Sequence, residues 1–142
     1  KSYYRYTIAA DLDQIGIDEE YKIYLDNSER SKRVKKLLDT VSMLYRDIRG
    51  RREDLKPLFV IGDLYDIKNP VFQNVVNIKN NCITVNEIQS VMYECIKEHT
   101  HCGIVDNRFD NSNEIKDVLN ATSVPAFFET LKKEVDAYYA GN

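Results

Sequence analysis

The chain has 142 residues, 43% of them apolar and 30% charged, with a net charge of −3. That suits one packed soluble domain, and the apolar runs are too short and interrupted for a membrane-spanning helix. No basic start leading into an apolar stretch reads as a signal peptide, and Cys82, Cys95 and Cys102 are odd in number without CxxC spacing, so reduced thiols and a cytoplasmic location are expected.

The opening residues, K-S-Y-Y-R-Y-T-I-A-A-D-L-D, alternate between faces and predict a strand over Tyr3–Ile15. A domain that starts inside a strand is expected to be the C-terminal portion of a longer protein. A short strand is expected at Tyr21–Leu25. From Ser28, the positions Val34, Leu37, Leu38, Val41, Leu44, Tyr45 and Ile48 recur at helical spacing. They predict one long helix capped by Asn27 or Ser28 and stopped by Gly50. Leu58–Tyr65 reads as a buried strand, which completes a strand–helix–strand unit. After Lys68-Asn69-Pro70, Asn77–Asn81 reads as a loop. Ile88, Val91, Met92, Cys95 and Ile96 predict a helix with Asn86 as its cap. Cys102–Val105 reads as a short strand and Asn113–Leu119 as a short helix. A last helix starts near Pro125 and carries Phe127, Phe128, Leu131, Val135, Tyr138 and Tyr139.

Charge is unevenly spread along this order. Between Arg30 and Lys56 stand ten basic and four acidic residues, so the segment carries +6 and the remainder −9. Such a local basic field on an acidic body suits an oriented polyanion site. Four arginines, Arg46, Arg49, Arg51 and Arg52, fall within seven residues around Gly50. Arg46 and Arg49 fit a helix end, where they would meet carbonyls and Asp47, Glu53 and Asp54. Arg51 and Arg52 lie beyond Gly50, where guanidinium groups present paired donors to phosphate oxygens. Residue types alone leave structural pairing and phosphate binding both open.

Other constellations are weaker. Asp11 and Asp13 share one strand face and could hold Mg²⁺, with Asp63 and Asp66 completing such a site, although a solvent-facing strand end explains them more simply. Cys95, His99, His101 and Cys102 are zinc-competent types without a compact zinc spacing. No phosphate loop, GxGxxG, G-x-S-x-G or H-E-x-x-H occurs, and nothing assembles a nucleophile with its base. Ten tyrosines, three of them in the opening segment, could stack on bases but more often pack a core.

The order T-I-A-A-D-L-D-Q-I-G, then R-V-K-K-L-L-D-T-V-S-M-L-Y-R-D-I-R-G-R-R-E-D-L-K-P-L-F-V-I-G, then K-N-P-V-F, resembles the CRISPR-associated autoregulator family of the DevR type. That family supplies the repeated backbone subunit of the type I (Cascade) interference complex and belongs to the RAMP superfamily. The resemblance is specific over Tyr6–Phe72. It implies an α+β protein with a ferredoxin-like (RRM-like) core, of which residues 1–76 would be the C-terminal half and 77–142 a helical extension, with the N-terminal half preceding Lys1. In such a sheet the strands Tyr3–Ile15 and Leu58–Tyr65 would run parallel and flank a strand from the missing half. The resemblance also implies antiviral defence through guide (CRISPR) RNA, whose backbone would be held by Arg46, Arg49, Gly50, Arg51, Arg52 and Lys56. Other copies in a filament and other CRISPR-associated subunits would be partners, and target DNA only indirectly, with no membrane, cofactor, metal or catalytic residue. The alternatives are a metal-dependent nuclease using Asp11 and Asp13, as in some relatives of the superfamily, or a module that docks an acidic protein.

Overall fold

The apolar run before Tyr65 forms the strand on which the molecule is organised, but its partner is not the one the strand–helix–strand order implies. In the computed structural model, which describes residues 3–141, the elements are β1 (Ile17–Asp18), β2 (Ile23–Tyr24), α1 (Asn27–Ser42), β3 (Tyr45–Ile48), β4 (Arg51–Asp54) and β5 (Phe59–Gly62). These are followed by β6 (Ile78–Lys79), β7 (Cys82–Ile83), α2 (Val85–Gln89), α3 (Glu94–Lys97), β8 (His101–Ile104), α4 (Ser112–Leu119) and α5 (Val124–Ala140). The fold is α+β, and the sheets among the described residues are two-stranded and antiparallel. No helix of the described residues is long and apolar enough to cross a membrane.

β5 pairs with β8 in the register Phe59↔Ile104, Val60↔Gly103, Ile61↔Cys102 and Gly62↔His101. Alternation then sorts the core into two sides. Phe59, Ile61, Cys102 and Ile104 pack with Ile83, Val85, Ile88, Phe109, Ile115 and Leu119, which come from β7, α2, α4 and the loop before α4. Val60, on the opposite face, meets Val124, Phe127, Phe128 and Leu131 of α5. Thr122 extends the ladder by a parallel bridge to Gly103, donating its N–H to Cys102 O and accepting from Ile104, both at 2.9 Å.

Helix α5 is capped by Ser123, whose hydroxyl accepts the Ala126 N–H at 3.1 Å, and Pro125 sits in its first turn. Its second face receives α1 through Val34, Leu38, Val135 and Tyr139. Polar contacts fix the pairing of these helices: Ser31 Oγ donates to Asp136 at 2.5 Å, and Lys132 reaches Asp39 at 3.0 Å. Arg30 donates to the carbonyls of Ile15 (2.7 Å) and Leu12 (3.0 Å) and lies over the Tyr139 ring, which anchors the chain entering α1.

Several expectations are corrected. Residues 3–11 form no ladder; Tyr4, Tyr6 and Ile8 are exposed, because alternation makes a strand only where a neighbouring edge supplies hydrogen bonds. The parallel arrangement of Tyr3–Ile15 with Leu58–Tyr65 is therefore absent from the described residues, and β5 takes an antiparallel partner from far along the chain. The cap of α1 is Asp26, which accepts the Glu29 N–H at 2.8 Å, rather than Asn27 or Ser28. The helix ends at Ser42 and not near Gly50. Asn77–Asn81 includes a small hairpin whose turn residues Asn80 and Asn81 have φ of 53° and 59°, the left-handed values asparagine tolerates. The helix expected over Ile88–Ile96 is two short helices, α2 and α3.

Gly103 lets α5 approach the ladder this closely: a Cβ there would stand 2.9 Å from Phe127 Cβ, 3.0 Å from Val124 Cα and 3.1 Å from Val60 Cγ1. Gly103→Ala is expected to destabilise the protein by about 1–3 kcal/mol, the usual cost of overpacking. Gly141→Ala, whose Cβ would come no closer than 3.4 Å to Ala137 O, is the matched control and should be near neutral. Equal melting temperatures for the two variants would refute this account.

Candidate functional site

The basic joint is a β-hairpin. Tyr45↔Asp54, Arg46↔Glu53, Asp47↔Arg52 and Ile48↔Arg51 face one another, and Arg49-Gly50 closes the turn with φ of 51° and 77°. Positive φ at both central residues defines a two-residue turn matched to strand twist, in which glycine suits the second position. Gly50 is thus the turn residue of a hairpin, not the stop of a helix. The helical reading failed because Tyr45 and Ile48 continue the apolar spacing of α1. The pairing of opposite charges across the strands, which favours the hairpin, appears only once the chain is folded back.

The hairpin stands in solvent, with Glu53 alone half-buried. Arg46 Nε donates to Glu53 Oε2 at 2.8 Å, which raises its pKa further, and Nη2 donates to the Tyr4 hydroxyl at 3.3 Å. Arg52 Nε donates to Asp47 Oδ1 at 3.2 Å, with its guanidinium 4.0 Å over the Tyr45 ring. Lys56 Nζ donates to Asp54 Oδ2 at 2.6 Å, and that bond holds the Asp54 carboxyl below its ordinary range. Exposed pairs of this kind add little to stability, so a competing anion can exchange them. Arg49 and Arg51 make no ion pair among the described residues; they are the two tip arginines, on either side of Gly50. The structure brings all six candidate positions together, and it divides the five cations among them into paired cations (Arg46, Arg52, Lys56) and tip cations without an ion pair among the described residues (Arg49, Arg51). On the outer side of α1, Lys32, Arg33 and Lys36 border a shallow depression with Ile15, Gly16 and Glu29.

The acidic and cysteine constellations are arranged differently from the sequence expectation. Lys68 Nζ bonds both Asp13 oxygens, at 3.0 and 3.1 Å, and approaches Asp11 at 3.8 Å, so this pair is held by a lysine. The lysine hydrogen bond also lowers the Asp13 pKa. Cys95 is exposed on α3, whereas Cys102 is buried in the core, where burial pushes its thiol up to about 12. Among the described residues, the metal-competent side chains that converge are Asp63, His101 and Glu134. His101 Nε2 lies 2.9 Å from Glu134 Oε1 and 3.2 Å from Asp63 Oδ2. Burial, followed by the facing Glu134 carboxyl, pushes the Asp63 carboxyl up to about 8, against the Leu64 N–H that donates to its Oδ1. Sequence reasoning missed this group because its members lie far apart in the chain. Asp63 and His101 were each singled out as metal-competent, but in separate sets, and Glu134, a charge three residues after Leu131 and one before Val135, was the member not named.

A family model described as CRISPR-associated negative auto-regulator DevR/Csa2 matches residues 1–87. The chain belongs to that family. The match spans the hairpin, α1 and β5, and ends inside α2. No curated protein and no solved structure matches the chain. Membership in the DevR/Csa2 family makes this a CRISPR-associated protein.

Arg49 occupies left-handed backbone without being glycine, asparagine or aspartate, at a cost of about 1 kcal/mol. Arg49→Asn is therefore expected to strengthen the hairpin, slowing amide hydrogen exchange across Tyr45–Asp54 several-fold with little change in global melting temperature. Faster exchange in the variant would contradict the turn assignment.

Proposed function

We propose that the protein holds the phosphate backbone of CRISPR RNA as a repeated, non-catalytic subunit of a type I interference complex. Its core would be of the ferredoxin-like RAMP kind. Family membership supports the setting, and the observation that carries the chemistry is the hairpin tip. Two guanidinium groups without ion pairs project there on an exposed turn, backed by Arg46, Arg52 and Lys56 in exchangeable pairs. Guanidinium forks bind phosphate oxygens bidentately and carry no base preference, as a subunit that must accept any guide sequence requires. Tyr45 and Tyr4, already under arginines, offer exposed ring faces beside the same path. Copies of the subunit along the guide, and other CRISPR-associated subunits, are the partners this reading implies.

The experiment is a salt titration of guide-RNA binding by the full-length protein. Arg49→Ala with Arg51→Ala should weaken binding equally for unrelated guide sequences, and should flatten the log–log salt dependence by roughly 0.7 for each phosphate no longer held. Melting temperature should hold, because neither side chain makes a stabilising pair. An unchanged slope with a lowered melting temperature would assign the arginines to structure instead. As a non-catalytic subunit, the purified protein should leave RNA and DNA intact in Mg²⁺; cleavage abolished by Asp11→Ala would overturn that part of the reading.

A further inference from the structure

Asp63 follows β5, His101 opens β8 and Glu134 lies in the middle of α5, so three separate elements deliver one side chain each to a single point. Their ligand atoms all lie within 4.8 Å of one another. One imidazole nitrogen faces two carboxylates, and a nitrogen carries a single hydrogen. Glu134 Oε1 takes the closer position at 2.9 Å, and Asp63 Oδ1 is satisfied by the Leu64 N–H at 2.6 Å. Among the described residues, Asp63 Oδ2 and Glu134 Oε2 are both buried and accept no hydrogen bond. The Asp63 side chain is only 2% exposed, so its unpartnered oxygen cannot turn to water. A buried carboxylate in that position is strongly unfavourable unless a proton or a cation is supplied.

The spacing fits a specific kind of cation. Bonds of about 2.0–2.2 Å from one ion to nitrogen and oxygen place neighbouring ligand atoms roughly 3 Å apart. The observed separations from His101 Nε2 are 2.9 and 3.2 Å. Two carboxylates and a neutral imidazole carry two negative charges, which one divalent ion balances. An imidazole in the set favours first-row transition ions over Mg²⁺ and Ca²⁺, which prefer all-oxygen surroundings. His101 is 40% exposed and provides an entry path and room for a water ligand.

We propose that Asp63, His101 and Glu134 bind one divalent transition cation of the Zn²⁺ or Mn²⁺ class, which clamps β5 and β8 to α5. The ion is a structural tie, and the site lies apart from the basic hairpin and does not depend on its role.

The full-length protein, stripped with chelator and dialysed, is titrated with Zn²⁺, Mn²⁺, Mg²⁺ and Ca²⁺, with melting temperature and bound metal both recorded. One equivalent of Zn²⁺ or Mn²⁺ should bind and raise the melting temperature by several degrees, with Mg²⁺ and Ca²⁺ having little effect. Asp63→Asn and Glu134→Gln should lose both responses. His101→Gln, altered at the most exposed member, serves where the buried Asp63 variant does not fold. Cobalt(II) in place of zinc should show no thiolate charge-transfer band, since no cysteine joins this set. The proposal is overturned if no ion binds, if the His101 and Glu134 variants bind as the parent does, or if a thiolate band reveals the cysteines as ligands. It is equally overturned if Asp63→Asn stabilises the protein and the parent shows no response to metal, because a shared proton then holds the two carboxyls together.

Discussion

The absence of a side chain at position 103 sets the distance between the β5–β8 ladder and helix α5, and the remaining architecture follows from that distance. With Phe127 Cβ and Val124 Cα both within about 3 Å of where a Cβ would stand, the helix start rests almost on the strand backbone. A larger residue would lift α5 and, with it, α1, because the two helices share Val34, Leu38, Val135 and Tyr139 at their contact. The same approach explains the position of the buried ionisable group. His101 lies two residues before Gly103 and on the same face of β8, while Glu134 lies seven residues after Phe127, two turns further along α5. Strand and helix, held together at Gly103, bring those two side chains together further along.

Residues whose local pattern and tertiary environment agree were legible from sequence. Helix α5 combines a serine cap, a proline in the first turn and an uninterrupted apolar stripe, and it forms where expected. β5 and β8 form where short, mostly apolar runs were read as strands. The resemblance implied the α+β class, and these elements together with α1 agree with it. What escaped was decided by pairing. Residues 3–11 alternate as a strand should, yet they find no edge among the described residues, and are tied instead by Tyr3 to Asn81 and by Arg5 to Val76 O and Asn77. The segment after Ser42 carries the helical period on through Tyr45 and Ile48, yet it folds as a hairpin. Only the cross-strand partners of Arg46 and Asp47, seven and five residues away, reveal the hairpin. The six basic-site positions were therefore identified by composition and resemblance, while their division into stem and tip required the fold.

The region matched by the family model and the region that builds the core overlap only in part. The match ends at residue 87, so it contains β5 but not β8, and it contains α1 but not the helix α1 packs against. Buried positions such as Ile115, Phe127, Phe128 and Val135 all lie beyond it. The C-terminal third thus supplies the hydrophobic surface on which the matched elements rest. Burial of apolar area is the dominant favourable term in folding, and exposed ion pairs add little to it. The hairpin can accordingly keep a sequence unsuited to any core, because its conformation depends on a turn and on its own cross-strand pairs.

That division also separates the two charged groups by the physics that governs them. At the hairpin, water screens every interaction, so each guanidinium retains its charge and exchanges partners at little cost. At Asp63, the same charge would be held away from water, where an unpartnered carboxylate costs several kcal/mol and must acquire a proton or a cation. A surface cation is thus available to an external anion without disturbing the fold, whereas the Asp63–His101–Glu134 group binds whatever it binds as part of the fold. Exposure, rather than residue type, separates a place for an exchangeable polyanion from a place for a fixed counter-ion. In this chain the hairpin arginines are exposed charges, whereas Asp63 holds a buried carboxylate.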